Sequence, residues 1–195
     1  MTNNQFLLYE DRGPVRLLTL NRPEVLNAIR EADEDELHAA LDEAEADDEV
    51  RVIVIAGAGR AFSAGYDISM TDEGAEVDPD SMIPRGTTSA QHINRWLFHD
   101  RRMVRNQTHI FELSKPVIAA VHGWCMGGGT WLALTCDITL ASTDAVFGQP
   151  EVRNISNTSF LWTLMAGYKN ALRYSLTGDH VDAEEALRIG LVNQV

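Results

Sequence analysis

The sequence predicts one α/β domain, and three features carry that prediction. VRLLTL (15–20) is rich in branched residues and alternates weakly, as a strand does. Between Glu31 and Asp48, Leu37, Ala40, Leu41 and Ala44 recur at helical spacing among acids, which gives an amphipathic helix with a solvated acidic face. RVIVIAG (51–57) is an apolar run ended by glycine, which fits a strand buried on both faces. Strand, helix and buried strand in that order describe a β-α-β crossover.

The remaining elements follow along the chain. NRPEVLNA (21–28) is a turn, because Pro23 stops the strand before it and Asn27 suits a bend. Residues 71–86 are acidic, hold two prolines and show no periodicity, as expected of a surface loop. A long helix is expected from about Ser89 to Leu113, with Ile93, Leu97, Val104 and Phe111 on its inner side. KPVIAAVHG (115–123) is a second buried strand, followed by three glycines and an apolar helix through TWLALTCD. DITLAS (137–142) reads as a third strand and AVFGQPE (145–151) as a short extended piece with a turn. From Asn157 to Gly190 the pattern is mostly helical. The 195 residues suit one large domain with no repeat or linker, so the expected unit is 1–195.

Composition removes several function classes. Hydrophobic residues make up 45%, enough for a core and too many for a disordered chain. The net charge of -13 repels phosphate backbones, so nucleic acid is not an expected partner. No apolar run is long enough to span a bilayer, and the first residues lack a basic region ahead of an apolar block. A cytoplasmic address without membrane contact is expected. The two cysteines, Cys125 and Cys136, belong to no CxxC pair and read as small core residues. No group of His, Cys, Asp and Glu has metal-ligand spacing, so neither a metal nor a resident cofactor is expected.

Two stretches have the form buried strand, glycine turn, helix: VIVIAGAGRAFSAGYDI (52–68) and VIAAVHGWCMGGGTWLAL (117–134). Glycine allows positive φ and close approach of another group to the backbone. A helix starting there points unpaired N–H groups outward, and these bind an anion or a developing oxyanion. Neither turn contains GxGxxG or GxSxG, and the only lysines are Lys115 and Lys169, so no phosphate loop is present. One such turn is usually close packing; two, each after a buried strand, suggest a shared ligand site. His122 reads as a hydrogen-bonded structural residue, Asp137 and Asp144 as turn residues, and Arg153 as a surface residue or a partner of Glu151 or of a substrate carboxylate.

At this point the sequence resembles a known family. LTLNRPEVLNA (18–28), GRAFSAGYDI (59–68), KPVIAAVHGWCMGGGTWLALTCDITLAS (115–142), VFGQPEV (146–152) and AEEALRIGLVNQV (183–195) match the crotonase superfamily, the enoyl-CoA hydratase/isomerase family, in order and spacing. The resemblance implies a spiral of repeated ββα units and a homo-oligomer, a trimer or dimer of trimers. It implies an acyl-CoA thioester as substrate, with coenzyme A entering as part of it. The family's oxyanion donors correspond to the N–H groups of Tyr66 and Gly128. Its CoA contacts correspond to Val25, Leu26, Ala64, Asp67 and Ile68, although the apolar ones could equally be packing residues.

Hydratases of the family use two glutamates. Here the second is Glu151, at the end of FGQPE, while the first is replaced by Trp131, which then lines the substrate pocket. Tryptophan cannot exchange a proton as a carboxylate does. The resemblance therefore implies acid/base chemistry by Glu151 alone, on an enolate held in the oxyanion hole, with two-acid hydration in doubt. A hydrolase on the same scaffold and a non-catalytic CoA-binding protein are the alternatives. The family usually continues past GLVNQV with helices, so a truncated C-terminal region is expected. VRNISNTSFLW (152–162) replaces a glycine-rich stretch, which implies a reshaped acyl pocket.

Overall fold

The computed structural model describes residues 6–67, 88–153 and 160–195. Nine strands and six helices are described: β1 (Leu7–Arg12), β2 (Val15–Leu20), α1 (Glu31–Ala46), β3 (Val52–Gly57), β4 (Ala61–Ser63), α2 (Ser89–Glu112), β5 (Val117–Val121), β6 (Trp124–Met126), α3 (Gly128–Thr135), β7 (Ile138–Ala141), β8 (Val146–Gly148), α4 (Phe160–Ala166), α5 (Tyr168–Thr177), β9 (Val181–Asp182) and α6 (Ala183–Ile189). The loop expected at 71–86 and the predicted contact Ile68 lie outside the described residues.

The strands form two sheets, ordered β1-β2-β3-β5-β7 and β4-β6-β8-β9. Except for the antiparallel β1/β2 and β8/β9 pairs, all pairings are parallel. Chain order and sheet order together give a repeat. β3, β5 and β7 each belong to the first sheet, and the next strand in sequence (β4, β6, β8) belongs to the second. Among the described elements, the next after β4 is the helix α2 and the next after β6 is the helix α3, so the architecture is a succession of ββα units.

Local chemistry explains the helix ends. Thr88 caps α2 through a reciprocal pair: its hydroxyl accepts from Gln91 N at 3.2 Å, and the Gln91 side chain accepts from Thr88 N at 2.9 Å. α1 carries Glu31, Asp33 and Glu34 in its first turn, where carboxylates meet the positive end of the helix dipole. Its buried apolar face is Leu37, Ala40, Leu41 and Ala44, as the periodicity predicts. α6 begins at Asp182, whose carboxylate accepts from Glu185 N, and ends at Gly190 in the left-handed conformation.

Two expectations need correction. β3 alternates between fully and partly buried residues, so it is not sealed on both faces. Ile53 and Ile55 on one face are fully buried, while Val52, Val54 and Ala56 on the other keep partial exposure. On α2 the inner face is Met103, Asn106, Gln107 and Ile110, all buried. Ile93, Leu97, Val104 and Phe111, expected inside, are 57%, 47%, 51% and 44% exposed. α2 carries two stripes, and the one with amides packs on the core. β1 also escaped the sequence reading, because this edge strand buries only Leu7 and is otherwise polar or exposed.

Candidate active site

The two glycine turns meet. β4 and β6 are neighbours in the second sheet, with Ala61 opposite Trp124 and Ser63 opposite Cys125. Each strand runs directly into a glycine turn, so pairing the strands stacks the turns. Gly65, at φ 93°, comes so close to the second turn that a Cβ there would lie 2.7 Å from Met126 O and 3.0 Å from Gly128 N. Only glycine satisfies both the positive φ and the approach. Gly128 in turn lies under the Tyr66 ring, where a Cβ would stand 2.7 Å from ring carbons Cδ2 and Cε2. Tyr66 and Gly128 are thus brought together.

The first turn is fixed from behind by a residue that sequence reading treated only as a bend. Asn27, fully buried at φ 55°, donates from Nδ2 to Ala58 O at 2.9 Å, Ala61 O at 2.8 Å and Phe62 O at 3.2 Å. Its Oδ1 accepts from Arg22 N, and its carbonyl accepts from the Ser63 hydroxyl at 2.8 Å. Ser63 Oγ then accepts from Gly65 N at 3.1 Å. The predicted CoA contacts converge along the same seam. Ala64 N donates to Leu26 O at 2.8 Å, and Asp67 N donates to Ile29 O at 2.9 Å. Arg22 bridges the Asp67 and Asp33 carboxylates at 3.0 and 3.4 Å. Val25 is 40% exposed beside them, on the short 3-10 turn Pro23–Val25.

Glu151 arrives from the other side. β8 pairs with β6 so that Met126 faces Gly148, and Gly127 N donates to Gly148 O at 3.0 Å. Pro150 then starts a 3-10 turn, Pro150–Arg153, whose second residue is Glu151. Its carboxyl rests against Gly127: φ is 49° there, and a Cβ would overlap Glu151 Oε1. Oε2 is buried without a hydrogen-bond partner. Burial disfavours the charged form and raises the carboxyl pKa from 4.5 to about 7. A group that titrates near neutrality and has an uncommitted oxygen suits proton transfer.

Trp131, one turn into α3, is 4% exposed. Its indole N–H donates to Gln149 Oε1 at 3.0 Å, and its ring meets that of Tyr66 edge-on at 6.0 Å. Trp131, Gly128 and Tyr66 all line a small cavity between α3 and the α1–α2 pair. Three other polar candidates make structural hydrogen bonds, which His122 was expected to do and Asp137, read as a turn residue, was not. His122 Nε2 bonds Gly59 O, Asp137 accepts from Val117 N, and Asp144 accepts from the Ser142 hydroxyl. Cys125 and Cys136 are buried free thiols whose pKa values burial pushes up.

The model of the enoyl-CoA hydratase/isomerase family matches residues 10–195. The chain belongs to the enoyl-CoA hydratase/isomerase family. This enzyme family sits in the crotonase superfamily, and the similar proteins agree. A probable enoyl-CoA hydratase of Rhizobium meliloti is 39% identical, covering 97% of this chain and 68% of that protein. The mitochondrial enoyl-CoA hydratase of Pongo abelii is 34% identical, covering 99% and 62%. The crystal structure of an enoyl-CoA hydratase/isomerase from Xanthobacter autotrophicus Py2 matches with a TM-score of 0.83 at 35% identity, covering 99% and 67%. The chain therefore spans 62–68% of the length of such relatives. The ββα repeat seen here is the crotonase fold. No described helix is long and apolar enough to cross a membrane.

Proposed function

We propose that this family member binds an acyl-CoA thioester and shifts a proton along its acyl chain, with Glu151 as the single acid/base. Val25, Leu26, Ala64, Asp67 and Ile68 are the proposed CoA contacts. The thioester oxygen would sit between the N–H groups of Tyr66 and Gly128. Backbone direction supports both donors. Gly65 O and Asp67 N bond Ile29, so the intervening Tyr66 N–H points to the opposite side of its strand. Gly128 opens α3, where no carbonyl one turn back is available to its N–H.

Glu151 carries the proposal. Its carboxylate takes a proton from a carbon of the acyl chain, and the electron pair moves toward the thioester oxygen as an enolate. The two N–H dipoles stabilise that charge as it develops, an effect of about 2.7–4 kcal/mol per donor in comparable sites. Glu151 then returns the proton to another carbon, which moves the double bond. Hydration needs a second group to activate water, and Trp131 supplies only an indole N–H already given to Gln149. Relatives named as hydratases favour hydration as the second reading. Self-association belongs to the same proposal. It is supported by the exposed apolar side chains of Phe160, Leu164, Tyr168, Leu172 and Leu176 on α4 and α5, and sedimentation equilibrium would read it.

Incubating enzyme with an enoyl-CoA in D2O and following the product by NMR and mass spectrometry tests the reading. Deuterium in an isomer of unchanged skeleton is the expected result. A product heavier by one water would favour hydration, and a free acid would overturn the proposal in favour of a hydrolase.

A further inference from the structure

The cavity beside Trp131 has a wall that the proposed proton transfer does not use. Its near side is Tyr66, Gly128 and Trp131, the residues around the proposed thioester position. Its far side includes Asn106 and Gln107 of α2 and Glu34 of α1. Asn106 and Gln107 are 8% and 7% exposed, and Asn106 Nδ2 and Gln107 Nε2 are both buried without a hydrogen-bond partner. Buried amides are ordinarily satisfied, because each unmet donor costs about 1–3 kcal/mol. Two consecutive unmet donors against one cavity are therefore a recognition feature. The space is about 30 Å³, room for one small polar group and not for a hydrocarbon tail.

The charges in the wall narrow the group further. Glu34 accepts from the Tyr66 hydroxyl at 2.9 Å and from Arg102 Nε at 3.2 Å, and Arg102 also holds Asp35 at 2.7 Å. His38, which also lines the cavity, is kept neutral near pH 7, since burial lowers its pKa to about 4. A second carboxylate would thus meet Glu34 with no uncommitted cation in the described wall. A neutral oxygen can accept from the two donors without that charge repulsion.

Building on the acyl-CoA reading above, we propose that Asn106 and Gln107 are specificity determinants that select an acyl chain bearing a neutral oxygen, a ketone or hydroxyl, over the all-carbon chain. The thioester end would lie at Tyr66 and Gly128, and the chain's oxygen would accept from the two amides. A site built to hydrogen-bond a substrate oxygen rejects the analogue lacking it, because the site's own donors are then left unmet.

Titration calorimetry on the whole chain tests this with saturated acyl-CoAs. The series carries a ketone or hydroxyl on the γ, δ or ε carbon, each beside its all-carbon counterpart. One position is expected to bind roughly 10- to 100-fold more tightly than its counterpart. Asn106→Leu and Gln107→Met, made separately, are expected to shrink that gap to within a few-fold. Two positions keep the test decisive if one variant fails to fold. Equal binding of both chains at every position overturns this inference alone, with water then filling the cavity. A preference that survives both substitutions overturns it too. No binding by any acyl-CoA overturns it together with the proposed function.

Discussion

Glycine 127 and glutamate 151 define each other. The turn is bent to φ 49°, and the carboxyl occupies the space a side chain would need. Gly127→Ala would strain the backbone and push the carboxyl aside. Its expected effect is a loss of turnover of at least about 100-fold, the usual worth of a positioned acid/base. Circular dichroism would show the fold retained, and near-normal kcat would contradict the geometry. The charge state of Glu151 also enters stability. Its folded pKa of about 7 lies above the ordinary 4.5. The stability contributed by the protonated form is complete below about pH 4.5 and is lost as pH rises through about 7. The site thus favours a form poised to give or take a proton at the cost of some stability above neutrality.

At the scale of elements, the first glycine turn owes its shape to Asn27. One buried side chain ties the 21–28 turn to three carbonyls of the segment 58–62, and its own carbonyl holds Ser63, which holds Gly65. Asn27→Ala removes the side-chain bonds at a residue with positive φ and leaves carbonyls buried without that donor. Its expected cost is about 2–4 kcal/mol by denaturant unfolding. A change under 0.5 kcal/mol would mean that the turn is held elsewhere. The sequence showed Asn27 only as a turn former, because a hydrogen-bond hub depends on which carbonyls the fold brings near. α2 teaches the same lesson. Its apolar stripe suggested the buried face, yet Asn106 and Gln107 point inward beside Met103 and Ile110. Hydrophobic periodicity misreads a helix whose inner face must supply polar groups to a cavity.

For the whole molecule, the parallel sheet, the first helix and the two glycine turns were legible, because long apolar runs ended by glycine have few other readings. The meeting of the turns followed from the family resemblance, and β4/β6 pairing gives its physical cause. Whereas β8 falls in the extended piece expected at 145–151, β4, β6 and β9 were not legible, since two or three residues carry no period. The same holds for the wall opposite Trp131, which combines residues from α1, α2 and α3 far apart in sequence. The proposed chemistry rests on one buried carboxylate in place of two. It is tested most directly by kcat/KM against pH for the natural chain and for Glu151→Gln on one enoyl-CoA. The natural chain's rate is expected to rise with pH through about 7, as Glu151 ionises. The variant is expected to lose roughly 100- to 10,000-fold, with that ionisation gone and acyl-CoA still bound. Unchanged turnover in the variant, or the same pH profile in both proteins, would contradict it.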